Sequence, residues 1–188
     1  MSKQNQAKKH KKEELSPYSW ALRIFLIAIA LSAALSLLSE TTLAGADIAM
    51  ALLILGLFIL LGIVFDILGV AVTAADERPF HSAAAHREKG AKEALWLLRR
   101  ASYVSSFCND VVGDICGIVS GTTGAVIVAR LQSAFSVKTV LLSVGVTALI
   151  SGFTIGGKAL GKTFAMKQST EVVFLAGRFL HIFHRSSK

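Results

Sequence analysis

Four long apolar runs dominate the chain, separated by short polar or basic segments. The first, "YSWALRIFLIAIALSAALSLLS", covers Tyr18–Ser39; the second runs from about Ile48 to Ala75, the third from about Ser102 to Ala129, and the fourth from about Thr139 to Ala165. Each has the ~20 residues that an α-helix needs to cross a bilayer. Ser16 and Pro17 read as an N-cap and first helical position of the first helix. A basic start and a small-residue end also resemble a signal peptide. The apolar stretch exceeds the ~7–15 residues of such a leader, which favours a retained anchor.

Between spans two and three, "DERPFHSAAAHREKGAKEALWLLRR" (Asp76–Arg100) is basic, and Ala94, Leu95, Leu97 and Leu98 give it an apolar edge. It reads as a juxtamembrane amphipathic helix lying at the membrane surface. The tail "KQSTEVVFLAGRFLHIFHRSSK" reads as a second amphipathic helix. The expected class is therefore an all-α membrane protein with four transmembrane helices. Its organisation is a disordered basic tail (1–17), an extra N-terminal transmembrane helix (18–39), a membrane domain (48–168) and an amphipathic tail (169–188).

Composition agrees. Charged residues are 17% of the 188, against about 25% in a soluble domain, and mean hydropathy is +0.60. The net charge of +8 would suit nucleic acid in a soluble protein. No aromatic–basic interleaving accompanies it, so no nucleic-acid partner is expected. The Lys and Arg lie mainly in 1–17, 76–100 and the tail, which alternate correctly across four spans. The positive-inside rule then places both termini in the cytoplasm, in the plasma (inner) membrane. Arg130 and Lys138, in the second external loop, are a minor exception that snorkelling accommodates. Cys108 and Cys116, about two turns apart on one helix, are too far apart for a disulfide and read as buried thiols. No P-loop, no Ser/His/Asp set and no zinc spacing is present, so an enzyme is not expected.

Charges inside the spans change the picture. "FCNDVVGDICG" places Asp110 and Asp114 one turn apart beside Asn109. Asp66 lies in span two and Lys158 in span four. Counted from the basic ends at 1.5 Å per residue, all four charges fall ~10–18 Å inside one membrane boundary. Intramembrane charges are costly, face the bundle interior and seek partners. Three acids against one Lys leave two negative charges, and carboxylate, Asn109 and hydroxyl oxygens suit a hard divalent cation such as Mg²⁺. Lys158 also has structural readings: it pairs with Asp110 or Asp114, or snorkels with Lys162. Asp66 has one as well, protonated and hydrogen-bonded. Glycines recur along span three (Gly113, Gly117, Gly121, Gly124) and span four (Gly145, Gly152, Gly156, Gly157, Gly161), which lets helices approach closely, within the fold or in a dimer. Gly157 and Gly161 also loosen the helix so that carbonyls can face a cavity.

The order of "EKGAKEALWLL", "SSFCNDVVGD" and "GGKALGKTFA" resembles the DUF21 transmembrane domain of the CNNM/CorC magnesium transporter family, over about Gly69–Gly177. The resemblance implies ion transport and a homodimer. By position, Thr73 and Asp76 match its small-residue and Glu motif. Asp110 and Asp114, or Asn109 and Gly113 in a shifted register, match the Asn positions around Mg²⁺. Gly157, Lys158, Gly161, Lys162 and Thr163 match its Gly-Glu-x-x-Pro-Lys-Thr motif. The family's Glu is Lys158 here and its Pro is Gly161, and its cytoplasmic CBS domains are not expected. The expected function is binding, and transport, of Mg²⁺ or a similar divalent cation. The expectation of another class is a non-transporting scaffold in which Lys158 neutralises the acids, and basic helices bind anionic lipid or a partner protein.

Overall fold

A computed structural model describes residues 17–135 and 140–186, with side chains from 21 to 134 and from 140 to 182. The basic stretch 1–16, Lys138 and Thr139 lie outside the described residues.

All secondary structure among the described residues is helical: α1 (Pro17–Leu43), α2 (Ile48–Ala74), α3 (Arg78–Ala85), α4 (Ala91–Arg99), α5 (Ala101–Ser106), a π-helix (Phe107–Gly113), α6 (Asp114–Phe135), α7 (Val140–Lys167) and α8 (Ser169–Ser186). Four helical stretches have the length and apolar character to cross a membrane: Ala21–Leu43, Ile48–Ala74, Ala101–Ala134 and Val140–Lys167. The third is α5, the π-helix and α6 run together. The protein is thus an all-α chain built for a membrane.

The segment expected as one surface helix is two. The chain turns at Arg87 (φ 57°) and Gly90 (φ 86°), both left-handed. Such a turn ends α3 and re-aims the chain into α4, because a helix cannot continue through a left-handed residue. Pro79 lies in the first turn of α3, where its missing N–H costs nothing.

Central to the bundle is α2, which packs against α5, the π-helix, α6, α7 and α8. Its residues feed two separate apolar clusters. One gathers Ala51, Ile54, Leu55 and Phe58 with Val111, Val112, Ile115 and Val119. The other gathers Ala71 and Val72 with Phe80, Leu95, Leu98, Ala165 and Val173, at the end where α3, α4 and α8 lie. Between them falls the stretch of α2 that carries Asp66.

Arg130 does not snorkel. Its Nη1 donates to the Ala46 carbonyl and its Nη2 to the Leu43 carbonyl, fastening the α1–α2 loop to α6. Leu43 ends α1, and its carbonyl also accepts from the Ala46 amide in the turn that follows. Arg130→Ala removes two charge-assisted hydrogen bonds, each worth about 1.5–3 kcal/mol. We expect a lower unfolding midpoint in detergent, with Arg130→Lys falling between the two.

Candidate intramembrane site

The polar run of the third span winds as a π-helix over Phe107–Gly113, inside an otherwise α-helical stretch. Single-turn π insertions of this kind cluster at functional sites, because the widened turn re-aims side chains. Here it directs Cys108, Val111, Val112 and Gly113 inward and leaves Asp110 exposed, with Asn109 half-buried at the edge of α2.

Asn109 lies against the backbone of α2. A Cβ on Gly69 would come 2.8 Å from Asn109 Cγ and overlap its Oδ1, so any larger residue there would have to displace this side chain. Asn109 Nδ2 donates to Ser105 Oγ at 3.2 Å. Its Oδ1 is buried and has no hydrogen-bond partner. Asp66, one turn before Gly69 on α2, is 4% exposed, and its Oδ2 is also buried without a partner. Two acceptor oxygens in one polar layer therefore lack a donor. Buried polar groups are ordinarily paired, and leaving one unpaired costs about 1–3 kcal/mol.

From the other side α7 closes the layer. Gly157 and Gly161 press on Ile63 and Ile67, the residues flanking Asp66; a Cβ on Gly161 would lie 2.9 Å from Ile67 Cγ1. This close approach is the role expected of small residues between membrane helices. It carries Lys158 to the π-helix, where its Nζ lies 3.4 Å from the position of a Cβ on Gly113. The ammonium thus lies within the layer. Among the described residues, no ion pair within 4.0 Å joins it to Asp66, Asp110 or Asp114.

The charges divide between two faces. Asp66, Asn109, Gly113, Gly157, Gly161 and Lys158 come together at the junction of α2, the π-helix and α7. Asp110 and Asp114 are exposed on the outer side of their helix. Among the described residues no three His, Cys, Asp or Glu side chains gather as a metal would require. Thr73 and Asp76 lie at the far end of α2, two turns or more from Asp66. Thr73 Oγ1 donates to the Val70 carbonyl at 2.8 Å, and Asp76 Oδ1 accepts from the Arg78 amide at 3.1 Å. Neither reaches the layer. Both cysteines are free thiols.

Beside the layer, α4 and α8 cross with their backbones in contact at Gly90 and Gly177. Phe80 stacks on Phe174 with ring centroids 4.4 Å apart, and Glu93 Oε1 meets His181 Nδ1 at 2.8 Å. Lys92 and Arg99 on α4, Arg87 and Lys89 in the turn before it, Arg100 after it and Lys167 at the end of α7 are exposed. Arg100 lies over the Trp96 ring, 4.7 Å from its centroid.

Sequence reading did not single out Gly69 or Ser120. A glycine one turn from a buried acid was the available signal for the first. Ser120, 2% exposed with its Oγ unpartnered, gave no signal among the other hydroxyls of its span. Comparison with protein-family models, with curated proteins and with solved structures returns no match to this chain.

Proposed function

We propose that this protein binds a hard divalent cation, Mg²⁺ or one like it, in the polar layer between its two apolar clusters, and moves it across the membrane. The observation that carries the reading is the pair of buried acceptor oxygens, Asp66 Oδ2 and Asn109 Oδ1, with no donor for either. A cation satisfies both at once, and oxygen donors suit a hard ion. A proton on Asp66 supplies one donor only. Asp110 and Asp114 add negative field from the outer side of the same helix. The resemblance to the CNNM/CorC membrane domain supports the same class, and with it a homodimer. The basic helices α3, α4 and α8 lie at the cytoplasmic surface of the plasma (inner) membrane, against anionic lipid or a partner protein. Both termini are then cytoplasmic.

A second reading has its own observation. The Lys158 ammonium lies within the layer, where it serves as a built-in counter-ion and leaves a scaffold that moves nothing. The two readings part in a calorimetric Mg²⁺ titration of detergent-purified protein, wild type beside Lys158→Met. On the transport reading the wild type binds saturably, and Lys158→Met binds about tenfold tighter, since a like charge nearby has gone. That factor corresponds to about 1.4 kcal/mol. Binding only in Lys158→Met establishes the counter-ion reading. Heat from neither protein at millimolar Mg²⁺ removes the cation site.

A further inference from the structure

Between α6 and α7 runs an open groove of about 500 Å³, on the side of the polar layer away from α3, α4 and α8. Gly117, Ser120, Gly121 and Gly124 on α6 and Thr147 and Ser151 on α7 line it, together with Val128, Ile150 and Ile155. A Cβ at Gly117 or Gly121 would meet nothing within 4 Å, so these glycines line open space and make no close helix contact. Small residues alone would mark only a packing face.

Two further observations point to water. Thr122, Thr123 and Thr154 return their hydroxyl protons to carbonyls of their own helices, the ordinary solution in a membrane. Ser120 does not: it lines the groove, is 2% exposed, and its Oγ has no partner. Thr147 and Ser151 likewise make no hydrogen bond among the described residues. Lipid chains can satisfy none of these, and an unsatisfied polar group in hydrocarbon costs several kcal/mol. Then there are the acids. At 100° per residue, Asp114 falls on the stripe of α6 that carries Gly117, Gly121 and Val128. On α7, Lys158 falls on the stripe of Ser151 and Thr147. Asp110, one turn before Asp114, is exposed on the same helix. Exposed, unpaired carboxylates in mid-span need solvent.

We infer that the α6–α7 groove is a water-filled vestibule that admits small cations and leads from Gly117 toward Asp114, beside the buried Asp66 layer. Its selectivity for charge comes from Asp110 and Asp114. What it delivers rests on the cation reading above; that it holds water and attracts cations does not.

Cysteine labelling tests this without Mg²⁺. Gly121→Cys and Thr147→Cys report on the groove. Leu149→Cys and Leu53→Cys, 64% exposed and on faces turned away from it, report on lipid. The wild type is the blank, because Cys108 and Cys116 are buried. In proteoliposomes, with reagent on both faces, a quaternary-ammonium methanethiosulfonate should label the groove positions at least tenfold faster than the lipid-facing ones. It should also outpace the sulfonate reagent there; Asp114→Asn should reduce that preference and Asp110→Asn/Asp114→Asn should erase it. Groove positions as slow as Leu149→Cys mean that lipid or another helix fills the groove, and overturn the proposal. Equal rates for the two reagents overturn it as well. Because the space at Gly121 is open and Thr147 is exposed, neither substitution disturbs the packing.

Discussion

Asp66→Asn should make the protein more stable in the absence of divalent cation and insensitive to it in its presence. Asp66 is 4% exposed, its Oδ2 has no hydrogen-bond partner, and no cationic side chain lies within 4.0 Å of it among the described residues. Replacing a buried, unpaired charge with a neutral group of the same shape relieves the cost of its burial. Asn offers a donor as well, in a layer where Asn109 Oδ1 lacks one. The wild type recovers the difference only when a cation binds. A ligand at 100 times its dissociation constant stabilises the folded state by about 2.7 kcal/mol, which in a chain of this length raises the unfolding midpoint by ~5–10 °C. Thermal unfolding in detergent, with and without saturating Mg²⁺, should show the wild-type midpoint rising and that of Asp66→Asn unmoved. Equal rises in both proteins would place any bound cation elsewhere. An unmoved wild type would leave the Asp66 layer without a cation, as the counter-ion reading requires.

The second large effect is expected at Gly177. This glycine is buried where α8 crosses the start of α4, and a Cβ on it would lie 2.9 Å from both Ala94 N and Ala94 Cβ and press on the Gly90 carbonyl. Gly90 answers from the other side: its φ of 86° is left-handed, and a Cβ there would lie 2.6 Å from Arg178 N. Both clashes involve backbone, so no rotamer relieves them. Gly177→Val therefore lifts α8 from α4 and dissolves what the crossing holds together: buried Val173, the Phe80–Phe174 stack and the Glu93–His181 contact. Losing buried apolar side chains of this size costs about 3 kcal/mol or more. Trypsin should cut rapidly after Arg178 in the variant and slowly in the wild type. Gly56→Ala is the control. It has nothing within 4 Å of its Cβ position, and Gly to Ala inside a helix is neutral or favourable by up to about 1 kcal/mol. Equal cleavage of Gly177→Val and wild type would mean that α8 docks elsewhere.

Much of the fold was legible because membrane spans are written in length and composition. The four runs appear as helices with ends shifted by a few residues, since a helix terminus depends on caps rather than on apolar content. The expectation that Asp66, Asp110, Asp114 and Lys158 share a depth came from rise per residue alone, which is fixed once a span is recognised. Rotation is not fixed in that way. A periodic reading treats Asp66, Asp110 and Asp114 as equivalent acids. The π-helix and the packing of α2 bury Asp66 and leave the other two exposed. The glycines divided in the same way: Gly157 and Gly161 close on α2, while Gly117 and Gly121 line open space.

The sequence by itself determined four apolar helices long enough to cross a membrane, with charged residues set inside them. These follow from local properties, the length of an apolar run and the spacing of charges along a helix. Only the tertiary structure decided which oxygens are left without donors, where the Lys158 ammonium rests, and that Arg130 ties a loop instead of reaching for headgroups. Those outcomes depend on how each helix turns about its axis against its neighbours, and many distant contacts set that together.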